Sequence, residues 1–125
     1  MDDEALVAAA RAAREHAYAP YSAFSVGAAL LCDDGTVVSG CNVENASYAL
    51  TICAERNAVA AAVAGGRRKY VAIAVAGPQD AVASPCGACR EVLVEFAPEM
   101  RVLYTSRGSV EVTTADALLP ARFEL

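Results

Sequence analysis

The apolar positions of the chain alternate between helical and strand-like spacing. Leu6, Val7, Ala10 and Ala13 recur at helical intervals behind an acidic start, Asp2-Asp3-Glu4, that suits the positive end of a helix dipole. This pattern predicts a helix from Asp2 to about Tyr18, ended by Pro20. Phe24 to Leu31 and Thr36 to Val43 read as strands joined by Cys32-Asp33-Asp34-Gly35, where Asp-Gly is a hairpin signal. A second helix runs from near Cys53 to Ala64, stopped by Gly65-Gly66. Tyr70 to Val75 is a continuous apolar run suited to an inner strand. A third helix runs from near Cys86 to Phe96 and is terminated by Pro98. Arg101 to Tyr104 and Val110 to Thr113 read as strands, and Ala115 to Leu119 as a short last helix. The order α-β-β-α-β-α-β-β-α predicts an α/β fold of three layers, α/β/α, around a five-stranded mixed sheet with an antiparallel hairpin at one edge.

The second helix changes this picture. Beyond Glu55, Arg56 and Asn57 it is Ala and Val on every side, so it needs cover all round. The sheet covers one side, and another subunit is the natural cover for the other. An oligomer is therefore expected.

Composition narrows the class. Hydrophobic residues make up 56% of the 125 positions, which excludes a disordered chain, and the length fits one domain spanning 1–125. No apolar run reaches the roughly 18–20 residues of a membrane span, and the acidic start lacks the basic region of a secretory signal. A soluble, cytoplasmic protein is expected. The net charge of −5 argues against nucleic acid as a partner, because such binding rests on Lys and Arg neutralising phosphates.

Five cysteines and one histidine carry the candidate chemistry. Cys53-Ala54-Glu55 opens the second helix; Pro85-Cys86-Gly87-Ala88-Cys89 opens the third. Successive strand-to-helix units place helix N-termini side by side, so the sulfurs of Cys53, Cys86 and Cys89 can meet at one point. Free N–H groups there favour thiolates. Zn²⁺ prefers four-coordinate sites with sulfur ligands, and three thiolates leave a position for water, as in a catalytic site. Glu55 shares the first turn and points elsewhere, beside the metal without ligating it. A zinc staple between two helices and a redox Cys-x-x-Cys are the competing readings. Neither accounts for the Cys-Ala-Glu partner.

These motifs match the zinc-deaminase signature in its three-cysteine form. Together with the runs Tyr21 to Leu30, Asn42 to Tyr48, Cys53 to Ala58, Ser84 to Arg90, Leu118-Leu119-Pro120 and Phe123, they make the chain resemble the small homotetrameric cytidine deaminases along nearly its whole length. The resemblance implies a cytidine deaminase-like fold with one Zn²⁺ per subunit. It implies hydrolytic deamination of cytidine and 2′-deoxycytidine to uridine and 2′-deoxyuridine with release of ammonia, a pyrimidine-salvage reaction. The attacking group would be a zinc-held hydroxide, with Glu55 as the proton shuttle.

Further roles follow from the same resemblance. Arg56 would donate to the ligand sulfurs and offset the excess negative charge of three thiolates. Asn42 and Glu44 would hold the ribose 3′-hydroxyl, and Phe24 would contact the base. Backbone groups near Ala54 and Ser84 would read the base and the leaving amine. Tyr48 and Phe123 would reach a neighbouring subunit's site, completing it in a homotetramer. Each residue also has a bland reading: dipole complement for Glu55, solvated arginine for Arg56, polar turn for Asn42 and Glu44, core ring for Phe24. Cys32 and Cys41 read as small apolar packing residues, and His16 carries no assigned chemistry. Position 91 is Glu91, where the family commonly has glutamine. If buried, that carboxylate needs a partner or a raised pKa. Deamination of a nucleoside-like antibiotic such as blasticidin S is the alternative activity, and a zinc-stabilised scaffold is the alternative outside enzymes.

Overall fold

Asp2 starts the first helix by capping it: its carboxylate accepts from the Ala5 N–H at 2.8 Å. The computed structural model describes residues 1–125. Its helices and main strands, in chain order, are α1 (Asp3–Arg14), β1 (Gly27–Cys32), β2 (Val37–Cys41), α2 (Ala54–Ala64), β3 (Tyr70–Ala76), α3 (Gly87–Phe96), β4 (Arg101–Ser106) and β5 (Ser109–Thr114), with a short 3₁₀ turn at Tyr48–Leu50. The sheet order is β2-β1-β3-β4-β5. β1 is antiparallel to both of its neighbours, β3 is parallel to β4, and β4 is antiparallel to β5. This is the five-stranded mixed sheet that the pattern predicts.

The pleat sorts the side chains. Ala28, Leu30, Cys32, Ile73 and Val75 belong to the core beneath α2 and α3, whereas Ala29, Ala72, Ala74 and Ala76 belong to the core beneath α1. The predicted stripe Leu6, Val7, Ala10 and Ala13 is the buried face of α1. On the other face, Ala54, Ala58, Val59 and Ala62 of α2 are buried, while Ala60, Ala61 and Ala64 point outward and are exposed. No helix is long and apolar enough to cross a membrane.

Sheet topology positions the site. β2 and β3 run in the same direction on either side of the antiparallel β1, so the helices that follow them, α2 and α3, begin at the same end of the sheet. Gly40 lets α2 lie directly on β2: a Cβ there would come within 2.4 Å of the Ala54 carbonyl oxygen and 2.6 Å of the Ala58 nitrogen.

Three segments differ from the sequence expectation. The first strand begins at Gly27 rather than Phe24, because the Phe24 carbonyl and Val26 N–H pair with the Asn42 side chain instead of a neighbouring strand. The first helix ends at Arg14 rather than Tyr18, because tertiary pairing captures Tyr18. Its N–H donates to the Asn42 carbonyl at 3.0 Å, and its carbonyl accepts from Glu44 N–H at 2.9 Å. The expected last helix, Ala115–Leu119, is a hydrogen-bonded turn. Leu118 N–H reaches the Thr114 carbonyl at 3.2 Å, but Pro120 has no N–H to continue the ladder, and a single turn bears the nucleation cost alone.

Candidate active site

Cys53 and Cys86 are the N-cap residues of α2 and α3, and Cys89 lies in the first turn of α3. Both caps have extended backbone, and neither thiol caps the backbone N–H groups of its own helix, so the sulfurs are free to face one another. All three Sγ atoms lie within 4.8 Å of one another, with Cys53 and Cys86 3.8 Å apart. A tetrahedral zinc with Zn–S bonds of about 2.3 Å has an edge of about 3.8 Å, so the cluster is sized for that ion. The donor set agrees: three soft sulfurs favour zinc over a hard cation and leave one of four positions for a reacting group. None of the five cysteines is in a disulfide.

The Cys53 sulfur is electrostatically prepared as a thiolate. The Cys89 thiol donates to Cys53, and Arg56 Nη2 donates to the same sulfur at 3.4 Å, which together outweigh burial and lower the Cys53 pKa to about 5. Cys89 is pushed up, because its proton is held between the sulfurs and because it is buried. The Cys53 sulfur in turn strengthens protonation of the Arg56 guanidinium. Arg56 Nε is buried with no hydrogen-bond partner, a cost tolerated where the guanidinium serves the sulfur cluster.

Glu55 is 4% exposed, and burial raises its carboxyl to about 7, with the nearby Cys53 sulfur adding to the shift. It lines a cavity of about 310 Å³, at the lower end of small-molecule sites. Cys53, Cys86, Ala54 and Ser84 line this cavity together with Phe24, Asn42, Glu44 and Tyr48. Ser84 is placed by its neighbours, since Ala83 N–H donates to the Thr105 carbonyl of β4 at 2.9 Å.

Asn42 and Glu44 share this cavity, and both tie the Tyr21–Val26 segment. Asn42 Oδ1 accepts from Val26 N–H at 2.9 Å, and its Nδ2 donates to the Phe24 carbonyl at 2.8 Å. Glu44 accepts from Tyr21 N–H at 2.9 Å, Ser22 N–H at 3.2 Å and the Ser22 hydroxyl at 2.5 Å. The Ser22 hydroxyl first, then these backbone donors, hold the Glu44 carboxyl below its ordinary value. Phe123 is not brought to this cavity; it is 78% exposed near the C-terminus. Arg56 does not line it either and meets the site only through sulfur.

The motif geometry and a family match agree. The model of the "Cytidine and deoxycytidylate deaminase zinc-binding region" matches residues 1–105. The chain belongs to this deaminase family. It is similar to a cytidine deaminase of Sporosarcina psychrophila at 49% identity, covering 98% of this chain and 92% of the relative. It is also similar to the crystal structure of cytidine deaminase from Burkholderia pseudomallei, with a TM-score of 0.94 and 54% identity over 98% of this chain and all of that one. A blasticidin-S deaminase of Bacillus cereus is more distant, at 33% identity over 78% of this chain and 76% of the relative. Zinc is thus the family's metal, and the Cys53–Cys86–Cys89 cluster is where this chain is built to hold it.

Two residues without a role assigned from the sequence hold the site's loops together. Arg90 Nε donates to the Pro85 carbonyl at 2.7 Å, and its Nη1 donates to the Leu118 carbonyl at 2.9 Å, so it ties the Cys86 loop to the C-terminal turn. Its place directly after Cys89 was the available signal. Ser22 lies inside the Tyr21–Leu30 run but gives no sign of its partner 22 positions away. Glu91 is exposed and needs no partner. Cys32 packs in the core, as its apolar reading expects, and Cys41 is half-buried.

Proposed function

We propose that residues 1–125 form one zinc-dependent domain that converts cytidine and 2′-deoxycytidine, with water, to uridine and 2′-deoxyuridine plus ammonia. The observation that carries this reading is a buried glutamate beside three converging cysteine sulfurs, on a nucleoside-scale cavity that Asn42 and Glu44 also line. The named cytidine deaminases among its relatives support the same substrate class.

Cys53, Cys86 and Cys89 would hold one Zn²⁺, and Arg56 would draw charge from the Cys53 sulfur, restoring Lewis acidity that three thiolates weaken. Bound zinc supplies the electrophilic activation of a water for attack at the amino-bearing ring carbon. Glu55 takes that water's proton, delivers it to the adjacent ring nitrogen, and carries a proton to the departing ammonia. Its burial disfavours the charged carboxylate, which helps it keep a proton between the two transfers. Phe24 presents its ring to the base, and the backbone near Ala54 and Ser84 reads the ring and the leaving amine. Asn42 and Glu44 take the sugar 3′-hydroxyl.

Tyr48 and Phe123 extend from the subunit, 58% and 78% exposed, and the outward face of α2 is bare alanine. The α2 face and Phe123 support a homotetramer in which Phe123 completes a neighbour's site, whereas Tyr48 already borders the cavity of its own chain and would reach a neighbour only from there. A free nucleoside substrate makes pyrimidine salvage the proposed setting, with the cytoplasm as its proposed compartment. The test is a substrate panel of cytidine, 2′-deoxycytidine and blasticidin S, followed by the ultraviolet change of cytosine to uracil, with light scattering for mass. Turnover of the two nucleosides at tetramer mass is expected. Turnover of blasticidin S alone selects the antibiotic deaminase, and turnover of none selects a zinc-stabilised scaffold.

A further inference from the structure

Glu44 carries four donors: the N–H groups of Tyr21 and Ser22, the Ser22 hydroxyl and, at a longer 3.5 Å, the Tyr48 hydroxyl. The Ser22 hydroxyl oxygen also accepts from Phe24 N–H at 3.0 Å. Ala23 lies between them with φ at 59°, a left-handed conformation that is disfavoured for a residue with a Cβ. Further along, Asn42 holds both the Phe24 carbonyl and Val26 N–H. The Tyr21–Val26 segment is therefore strained at its centre and tied by two side chains that line the cavity.

One atom joins the two halves of the site. The Ser22 Oγ is bonded to the Glu44 carboxylate on one side and to the Phe24 backbone on the other. The geometry points to Ser22 as a positioning residue that couples Glu44 to Phe24, so that the sugar-side carboxylate and the base-side ring are set as one unit. This rests on the sugar-side role proposed above for Glu44. The long Tyr48 contact is the one a sugar hydroxyl can replace, while Ser22 keeps the carboxylate aimed. Without the Ser22 hydroxyl, Glu44 loses a donor and Phe24 N–H loses its acceptor. Ala23 is then freed to relax to negative φ, carrying Phe24 with it.

The experiment compares 2′-deoxycytidine with 2′,3′-dideoxycytidine, which differ only at the 3′-hydroxyl, on the zinc-loaded full chain. Glu44→Gln is the control and should reduce the preference for the hydroxylated substrate about tenfold, Asn42 holding the remainder. If the preference is undiminished in Glu44→Gln, the sugar-side reading of Glu44 fails and takes this inference with it. With that control in place, Ser22→Ala should raise KM for 2′-deoxycytidine about tenfold while kcat stays within about threefold. KM for the dideoxy substrate should rise about threefold or less. Ser22→Thr, which keeps the hydroxyl, should restore the preference. Equal losses on both substrates, no loss, or no rescue by threonine overturns the coupling, because a merely structural serine would not distinguish the two sugars. Should Ser22→Ala fail to fold, Ser22→Cys, a weaker donor of similar size, carries the same comparison.

Discussion

Gly40→Ala tests whether the seat of α2 on β2 sets the metal site. A Cβ at this position would meet the Ala54 carbonyl oxygen at 2.4 Å, whereas ordinary contact begins at 3.4 Å. The obstruction is helix backbone, which cannot rotate aside, so the first turn of α2 must retreat by about 1 Å. Two effects oppose each other. Alanine in a strand gains roughly 0.5–1 kcal/mol over glycine, and overpacking costs roughly 1–3 kcal/mol, so the variant should lose up to about 2.5 kcal/mol of stability. The larger effect is on the site. The shift carries Cys53 and Glu55 with α2 and leaves Cys86 and Cys89 in place on α3. A displacement of about 1 Å among reacting groups costs about 10²-fold in rate. Urea unfolding, bound zinc per chain and kcat/KM for cytidine should all fall together. A Gly40→Ala protein with native unfolding midpoint, full zinc and native kcat/KM would refute the reasoning.

Other substitutions isolate single roles. Glu55→Gln should retain zinc and lose about 10²–10⁴-fold in kcat; a near-native kcat contradicts the proton-shuttle role. Arg56→Gln should weaken zinc affinity or activity about 10–100-fold, read by competition with a chelator, and unchanged metal retention and rate would count against its charge-balancing contact with Cys53. Leu93, 1% exposed in the core under α3, should cost about 2–5 kcal/mol as Leu93→Ala in urea unfolding. Glu44 titrates below its ordinary 4.5 in the folded chain, so its contribution is fully present above that value and is lost as pH falls through the lower folded value. The acid limb of the stability curve below pH 4.5 should therefore flatten in Glu44→Gln.

The parts of the fold that follow from local rules were legible in the chain. The α1 stripe, the Asp-Gly hairpin, the Gly65-Gly66 stop and the inner strand at Tyr70 all depend on periodicity or backbone freedom that single residues announce. So do the metal-site cysteines, because their spacing places both helix starts at one end of the sheet. What escaped depends on partners far along the chain. Tyr18 leaves its helix because Asn42 and Glu44 offer backbone groups to it. Ala115–Leu119 has helical composition but no second turn and a proline behind it. Arg90 finds the Leu118 carbonyl 28 residues away, and Ser22 finds Glu44 22 residues away. Ala23 adopts a left-handed backbone that its own side chain disfavours, so only the bonds around it can account for that conformation.

The central claim is that three cysteine sulfurs hold one zinc on which cytidine turnover depends. Its most direct measurement is a zinc titration of the metal-free protein with the rate of cytidine deamination recorded at each addition. No turnover without metal, a linear rise that ends at one zinc per chain, and no rise in Cys86→Ser are expected. Turnover by the metal-free protein, or a saturated zinc site with no conversion of cytidine, would contradict it.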